Sequence, residues 1–595
     1  MDEFPPETLR QYALLADGER GALIGPRGDI AFMCVPRWHD DAVFSSLIGG
    51  GGHYAVTPHA NRYVWGGHYE EDTLIWRNRW TTTDGIIECR EALAFPGEPH
   101  RAVLLRRIEP IDSAATVDAV LSAQAGFGQE QSSLRQVSEH VWEGRSGRLH
   151  VRWSGTPSGT HLRNGQPSFV LNLRRGDRYD LVLEISDRPL PSERVEPRQA
   201  WAATERAWRE AVPHLAESIA SADAQHSYAV MRGMTSSSGA MVAAATMSLP
   251  ERAEEGRNYD YRYSWIRDQC YAGQAVAEAG GFPLLDDAVR FVAERLLADG
   301  PHLKPAYTVD GGPVPDERSL DLAGYPGGSD KVGNWVNQQL QLDAFGESLL
   351  LFAAAERHDR LDSHHRQAAL TAIEAIEQRW TEPDAGIWEL DNRRWAHSRL
   401  MCAAGLRSFA ATDHTRDAVR WVGLADAIVT DTERDCAHPT GRWQRAPDDP
   451  RVDAALLLPA LRGAVPADHP RSVATVEAVI RELGRDGYVY RFRHDDRPLN
   501  EAEGAFLLCG FQLAMAEHQR GGHAAALRWF ERSRAACGPP GLFTEEFDVV
   551  QRQLRGNLPQ AFVHALLIES SAQLSHPPVP PMLEPQGEVR ETQQQ

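Results

Sequence analysis

From about residue 20 to 190, apolar and polar positions alternate with the period of two that sets one face of a strand against a core and the other toward solvent. Arg62-Tyr63-Val64-Trp65, Thr73-Leu74-Ile75-Trp76, Ala102-Val103-Leu104-Leu105, His150-Val151-Arg152-Trp153 and Tyr179-Asp180-Leu181-Val182-Leu183 are rich in β-branched and aromatic residues. Gly, Pro and Asp turns separate them, a spacing that predicts a β-sandwich. Gly49 to Gly52 lacks the following helix and Lys of a phosphate loop and reads as a hairpin connection.

After Pro189-Leu190-Pro191 the period lengthens to that of helices, beginning with a linker helix around Gln199 to Leu215. About twelve further helical segments follow, near 226–248, 265–280, 283–299, 334–357, 362–379, 395–410, 414–430, 452–463, 470–483, 501–519, 522–537 and 558–574. Counting along these twelve, links after the even-numbered helices run to about two to six residues and links after the odd-numbered ones to about 15 to 35. Short links hold neighbours together at one end of the array, so the long loops must emerge together at the other. Six helical hairpins with six long loops on one face predict an (α/α)6 barrel, although a generic helical array shares the periodicity. The chain thus divides into an N-terminal β-sandwich over 1–195, a linker helix over 196–222, the all-α barrel over 223–576 and a disordered Pro- and Gln-rich tail over 577–595.

Composition changes this picture by exclusion. The 62 Lys+Arg against 83 Asp+Glu give a net charge of -21, which argues against holding nucleic acid or an anionic membrane by bulk charge. No run approaches the roughly 18 apolar residues that span a bilayer, and Met1-Asp2-Glu3-Phe4-Pro5-Pro6 lacks the basic and apolar parts of an export signal. The seven cysteines are scattered and never form Cys-x-x-Cys, so reduced thiols in a cytoplasmic chain are expected, with Cys270 as core. His39-Asp40-Asp41, His364-His365 and His494-Asp495-Asp496 lack a spaced third ligand, so no metal or other cofactor is expected. A Gly-x-Ser-x-Gly nucleophile elbow is also missing.

If the long loops share a face, the chemistry is written in them. They are rich in aromatics, arginines and carboxylates, which suits a sugar: ring faces for pyranose C–H surfaces, charged forks for hydroxyls. In Arg257-Asn258-Tyr259-Asp260-Tyr261-Arg262-Tyr263-Ser264-Trp265-Ile266-Arg267-Asp268, the last two residues start a helix and form either a hydroxyl-gripping pair or a plain cap with a surface ion pair. Glu389 follows Trp388, an apolar ring that would raise the pKa of a general acid. Glu545, in Thr544-Glu545-Glu546-Phe547-Asp548, is a candidate second carboxylate, and an inverting pair needs a separation of about 6.5 to 9.5 Å. Among 83 acidic residues, residue type alone singles out no pair.

The stretch 257–268, with Gly386-Ile387-Trp388-Glu389 and Gly556-Asn557-Leu558-Pro559-Gln560-Ala561-Phe562-Val563-His564, resembles glycoside hydrolase family 15, the glucoamylase and bacterial trehalase family. Gly333-Asn334 leading into Gln339-Leu340-Gln341-Leu342-Asp343, and Glu503-Gly504-Ala505-Phe506-Leu507-Leu508-Cys509, are similar too. Ala22-Leu23-Ile24-Gly25-Pro26-Arg27-Gly28-Asp29-Ile30 and Cys34-Val35-Pro36-Arg37 resemble that family's trehalase-type N-terminal domain. The resemblance runs from about residue 12 to 575 in chain order. It implies an (α/α)6 barrel behind a β-sandwich and hydrolysis of a small neutral α-glucoside or oligosaccharide at its non-reducing end, with inversion. It also implies Glu389 as general acid and Glu545 as general base, with the adjacent Glu546 a weaker alternative. Arg267 and Asp268 match the pair that grips the terminal glucose, Arg491 matches a further sugar-binding arginine, and Trp265, Trp388 and Asn334 fall in the same motifs.

Two departures bear on the substrate rather than the reaction. Arg37-Trp38-His39-Asp40-Asp41 stands where relatives usually have Arg then Phe-Asp, and Lys331, one of only two lysines, precedes the Gly-Asn in place of Arg. Lys331 is either a substrate contact or a neutral replacement. Trehalose, α-1,4 and α-1,6 glucosides remain open as substrates. A disaccharide phosphorylase would replace the base by a phosphate pocket, which Glu545 argues against, and both carboxylates disfavour a non-catalytic glycan-binding protein.

Overall fold

The computed structural model describes residues 4–253, 256–413 and 415–577, so the tail expected to be disordered lies, apart from Pro577, outside the described residues. The N-terminal part is a pair of eight-stranded antiparallel sheets. One runs in the order Ala13–Ala16, Gly21–Ile24, Asp29–Cys34, His53–Pro58, Ala115–Ser122, Gln166–Leu173 and His161–Arg163, with Ala42–Phe44 added beside Asp29–Cys34. The other runs Arg135–Ser138, Val141–Ser146, Leu149–Ser154, Tyr179–Ser186, Arg101–Pro110, Ile86–Leu93, Trp76–Thr82 and Tyr63–Tyr69. Inward-facing residues of both sheets, including Tyr54, Trp80, Leu104, Val117, Trp153 and Phe169, form one core, as alternation requires.

Two local expectations fail here for a physical reason. Thr73 to Ile75 is not strand: Thr73 N–H on Glu70 O at 3.2 Å closes a turn over 70–73, and Leu74 and Ile75 after it are buried in the core shared with the helical part. Gly49 to Gly52 closes no hairpin, since it joins Ala42–Phe44 to His53–Pro58 and both pair with Asp29–Cys34.

Helix α1 (Pro197–Ala211) lies on the second sheet, with Trp201 Nε1 donating to Asp180 at 3.2 Å and Trp208 stacked on Phe95 at 4.1 Å. Among the described residues twelve helices follow: α2 (Ser221–Gly233), α3 (Ile266–Glu278), α4 (Phe282–Asp299), α5 (Asp343–Glu356), α6 (Ser363–Arg379), α7 (Ala396–Ala410), α8 (Asp417–Cys436), α9 (Leu458–Leu461), α10 (Pro470–Leu483), α11 (Leu507–Gln519), α12 (His523–Arg534) and α13 (Ala561–Gln573). Contacts run α3 to α5, α7, α9, α11, α13 and back to α3, which closes an inner ring. The even-numbered helices sit outside it. The inner helices α3, α5, α7, α11 and α13 are buried almost all round, whereas α4, α6, α8 and α12 bury one stripe, as an inner and an outer layer require.

Links 279–281, 357–362, 411–416, 462–469 and 520–522 are short, and 234–265, 300–342, 380–395, 437–457, 484–506 and 535–560 are long. The alternation read from the sequence is therefore present. Several helices are shorter than expected at the long-loop end: α2 stops at Gly233 rather than 248, α5 starts at Asp343 rather than 334, and α11 at Leu507 rather than 501. Ala243 and Ala244, helix formers by propensity, instead lie in an irregular segment and donate to Tyr263 O and Tyr261 O at 2.8 and 2.9 Å. Beyond the barrel, apolar residues of the sandwich (Trp38, Leu74, Phe95) and of α1 (Trp208) belong to the same continuous core as the inner helices. Among the described residues no helix is long and apolar enough to cross a membrane.

Candidate active site

Five of the six long connections, with the first turns of α3, α11 and α13, surround a cavity of about 210 Å³. Glu389 and Glu545 both line it, as do Arg267, Trp388, Asn334 and Arg491.

Glu389 stands on a tightly pinned loop. The Asp384 carboxylate accepts from Leu342 N–H (3.2 Å), Gly386 N–H (3.0 Å) and Ser398 Oγ–H (2.8 Å), which ties the loop to the starts of α5 and α7. Gly386 has φ +69°, and a Cβ there would meet the Trp395 ring at 2.7 Å, so only glycine fits. Glu389 itself has φ +54°, a left-handed backbone costing on the order of 1 kcal/mol, and such strain gathers at functional positions. Its Oε1 accepts from Trp265 Nε1 at 2.7 Å and Gln341 Nε2 at 3.1 Å, and Arg267 Nη2 lies 3.6 Å away. All three of these donors converge on Oε1. Trp388, expected to desolvate this acid, lines the cavity but donates its indole N–H to Asp453 at 2.8 Å, and the indole bonded to Glu389 is that of Trp265.

Glu545 enters the short strand Glu546–Asp548, which pairs with Ala505–Phe506 and Gln553–Arg555. Successive residues of a strand face opposite ways. Glu545 accordingly meets the cavity and accepts from Tyr261 O–H at 3.3 Å, while Glu546 turns back to accept Gly504 N–H at 2.6 Å. Burial, reinforced by Glu251 and Asp268, holds the Glu545 carboxyl well above the usual range against the pull of Arg491.

Arg267 and Asp268 form no surface cap, since both are buried. Arg267 donates to Gln341 Oε1 at 2.6 Å and lies 3.8 Å from Asp343, so its fork is held from behind. Burial pushes the Asp268 carboxyl up to about 7 despite Arg267, with Glu389 adding to the rise. Arg491 donates to Glu503 from Nε and Nη2 at 2.8 and 2.7 Å, and stacks 4.4 Å above the Phe506 ring. Asn334 reaches Asp260 O at 3.5 Å. Lys331 is not among the cavity residues: its Nζ pairs with Glu317 at 3.1 Å, and it is Glu317 that meets the cavity.

Sequence reasoning passed over Glu251, Tyr261 and Trp335. Glu251 lines the cavity beside Glu545, and Trp335 stands more than half exposed at the cavity. Nothing local marks Glu251 in Pro250-Glu251-Arg252. Tyr261 and Trp335 lie next to residues that were singled out, and their aromatic type was the available signal.

Paired acids at one end of a ring of helices, with arginines and aromatic rings beside them, supply what cleavage of a glycosidic bond requires, and the chain is a glycoside hydrolase. Residues 224–572 match the family model for glycosyl hydrolases family 15, and residues 5–146 match that of the trehalase-like N-terminal domain. The chain belongs to glycosyl hydrolases family 15. It is 29% identical to the trehalase of Mycolicibacterium smegmatis, covering 95% of this chain and 91% of that protein. To the trehalase of Thermoplasma acidophilum it is 30% identical, over 56% of this chain and 59% of that one. In fold it is similar to a bacterial glucoamylase solved with acarbose, with a TM-score of 0.71 at 13% identity over 96% of this chain and 95% of the other.

Proposed function

We propose that the chain is an inverting, exo-acting α-glucoside hydrolase that cleaves trehalose and releases β-glucose. The observation that carries this is the presence of Glu389 and Glu545 on one cavity. Trehalose is favoured among α-glucosides because trehalases match over most of both chains. Glu389 protonates the glycosidic oxygen, while Glu545 takes a proton from water on the opposite ring face as it attacks C1. Arg267, Asp268 and Arg491 grip the hydroxyls of the terminal glucose, and Trp265 and Gln341 orient the acid.

The test is NMR of the anomers first released from trehalose, beside assays on maltose, isomaltose and soluble starch. Inversion gives one β-glucose and one α-glucose per bond cleaved. Release of α-glucose alone would overturn inversion, and a blank on trehalose with turnover of another glucoside would overturn the substrate.

A pH dependence follows from Glu545. The groups facing it are Glu251 and Asp268, which raise its pKa together with burial, and Arg491 and Tyr261, which lower it. A base works only when ionised, so kcat/KM must fall as pH falls through a pKa above the ordinary 4.5. A kcat/KM profile whose acidic limb sits at or below that value would contradict this role.

A further inference from the structure

Tyr261 and Arg262 are neighbours on an extended segment whose carbonyls at Tyr261 and Tyr263 accept from Ala244 and Ala243. Adjacent side chains on such a segment diverge. Tyr261 reaches into the cavity and donates to Glu545, while Arg262 runs the other way, into the sandwich, where it is wholly buried.

Arg262 is held on every side. Nε and Nη2 donate to the two oxygens of Asp260 at 2.9 and 2.7 Å, and Nη1 donates to Cys34 Sγ (3.0 Å), Trp38 O (3.2 Å) and Asp40 O (2.7 Å). The last three acceptors all belong to the sandwich. Asp260 in turn accepts from Gly333 N–H at 3.0 Å and Tyr263 O–H at 3.2 Å, next to the cavity residue Asn334. One buried ion pair therefore knots three pieces of chain: 34–40 of the sandwich, 258–265, and 331–335. A fully buried guanidinium is tolerated only with such partners, because an unmatched charge there is strongly destabilising. The sandwich supplies acceptors that the barrel loops do not.

We infer that Arg262 is a positioning residue for hydrolysis: gripped by the 34–40 loop, it fixes the adjacent Tyr261 against Glu545, so the sandwich is a working part of the active site. This rests on the reading of Glu545 as base. Arg262 touches neither the cavity nor Glu545 and acts on Glu545 through its neighbour Tyr261.

The experiment uses the full chain on trehalose. In Arg262→Met/Asp260→Asn both members of the ion pair are neutral, so no charge is stranded, and Arg262→Lys keeps the charge but loses the fork. For the double variant kcat should fall by about a hundredfold, the penalty of misplacing reacting groups by about an ångström, with KM changing less. Its acidic limb should also move to higher pH, because Glu545 loses the Tyr261 hydrogen bond that favours its ionised form, while Glu251, Asp268 and Arg491 stay in place. Arg262→Lys should shift in the same direction but less. Tyr261→Phe should reproduce the limb shift, and adding it to either Arg262 variant should shift the limb little further, since both act on one contact.

A folded double variant, or a folded Arg262→Lys if the double does not fold, with the parental kcat and limb would overturn the inference. So would limb shifts that simply add. If neither folds, the structural role stands alone and the positioning role falls. Glu545→Gln separates the two levels: turnover in it would sink the base assignment itself, whereas an inactive Glu545→Gln beside parent-like Arg262 variants would sink only the role of the sandwich.

Discussion

Glu389→Gln should lower turnover of trehalose by about 10²–10⁴-fold, roughly 3–5 kcal/mol of barrier, while α-glucosyl fluoride remains a good substrate. Fluoride departs without a proton, so only a step that needs the acid is lost. Glu545→Ala should lose both substrates to a similar extent, because water must still be activated in each case. Added azide, a nucleophile that carries no proton to remove, should restore part of its rate and yield β-glucosyl azide. The geometry supports this division, since Trp265, Gln341 and Arg267 all approach the same oxygen of Glu389. If Glu389→Gln lost the fluoride as heavily as trehalose, or if the Glu545 variant were the one sparing it, the two roles would have to be exchanged.

The second large effect is expected at Arg267. Its guanidinium is buried within reach of Asp343 and Glu389 and next in sequence to Asp268. Arg267→Met removes a cation that pulls down both Asp268 and Asp343 and strands buried carboxylates, which should cost about 3–5 kcal/mol of stability. Trehalose kcat/KM should fall by about a hundredfold or more as the terminal glucose loses its fork. Arg267→Lys separates the two losses. A lysine restores charge but not the planar pair of donors, so stability in urea should recover further than kcat/KM. Equal recovery of both would mean that Arg267 serves the fold and not the sugar.

How much of this was legible in the sequence depends on how local the governing physics is. Helical periodicity and the alternation of link lengths are local, and they led to the inner and outer rings of helices. The Ala243–Ala244 run misled because its fate is set by Tyr261 and Tyr263, many residues downstream. Trp388 beside Glu389 looked like a desolvating pair, but adjacency along a loop does not set where an indole points, and Trp388 turned to Asp453. Lys331 drew attention by rarity and is held by Glu317. Glu251 and Arg262 carried no local mark, since their importance comes from partners hundreds of residues away in Glu545 and Cys34.

The apolar core that passes unbroken from sandwich to barrel also limits how the chain can be handled. Cutting between the two parts would divide that core and uncover apolar side chains such as Leu74, which lies against Gly233 of α2. Fragments made that way would be sticky and prone to precipitate, so shortened versions of this enzyme are better trimmed at the ends than divided along the border that its topology suggests.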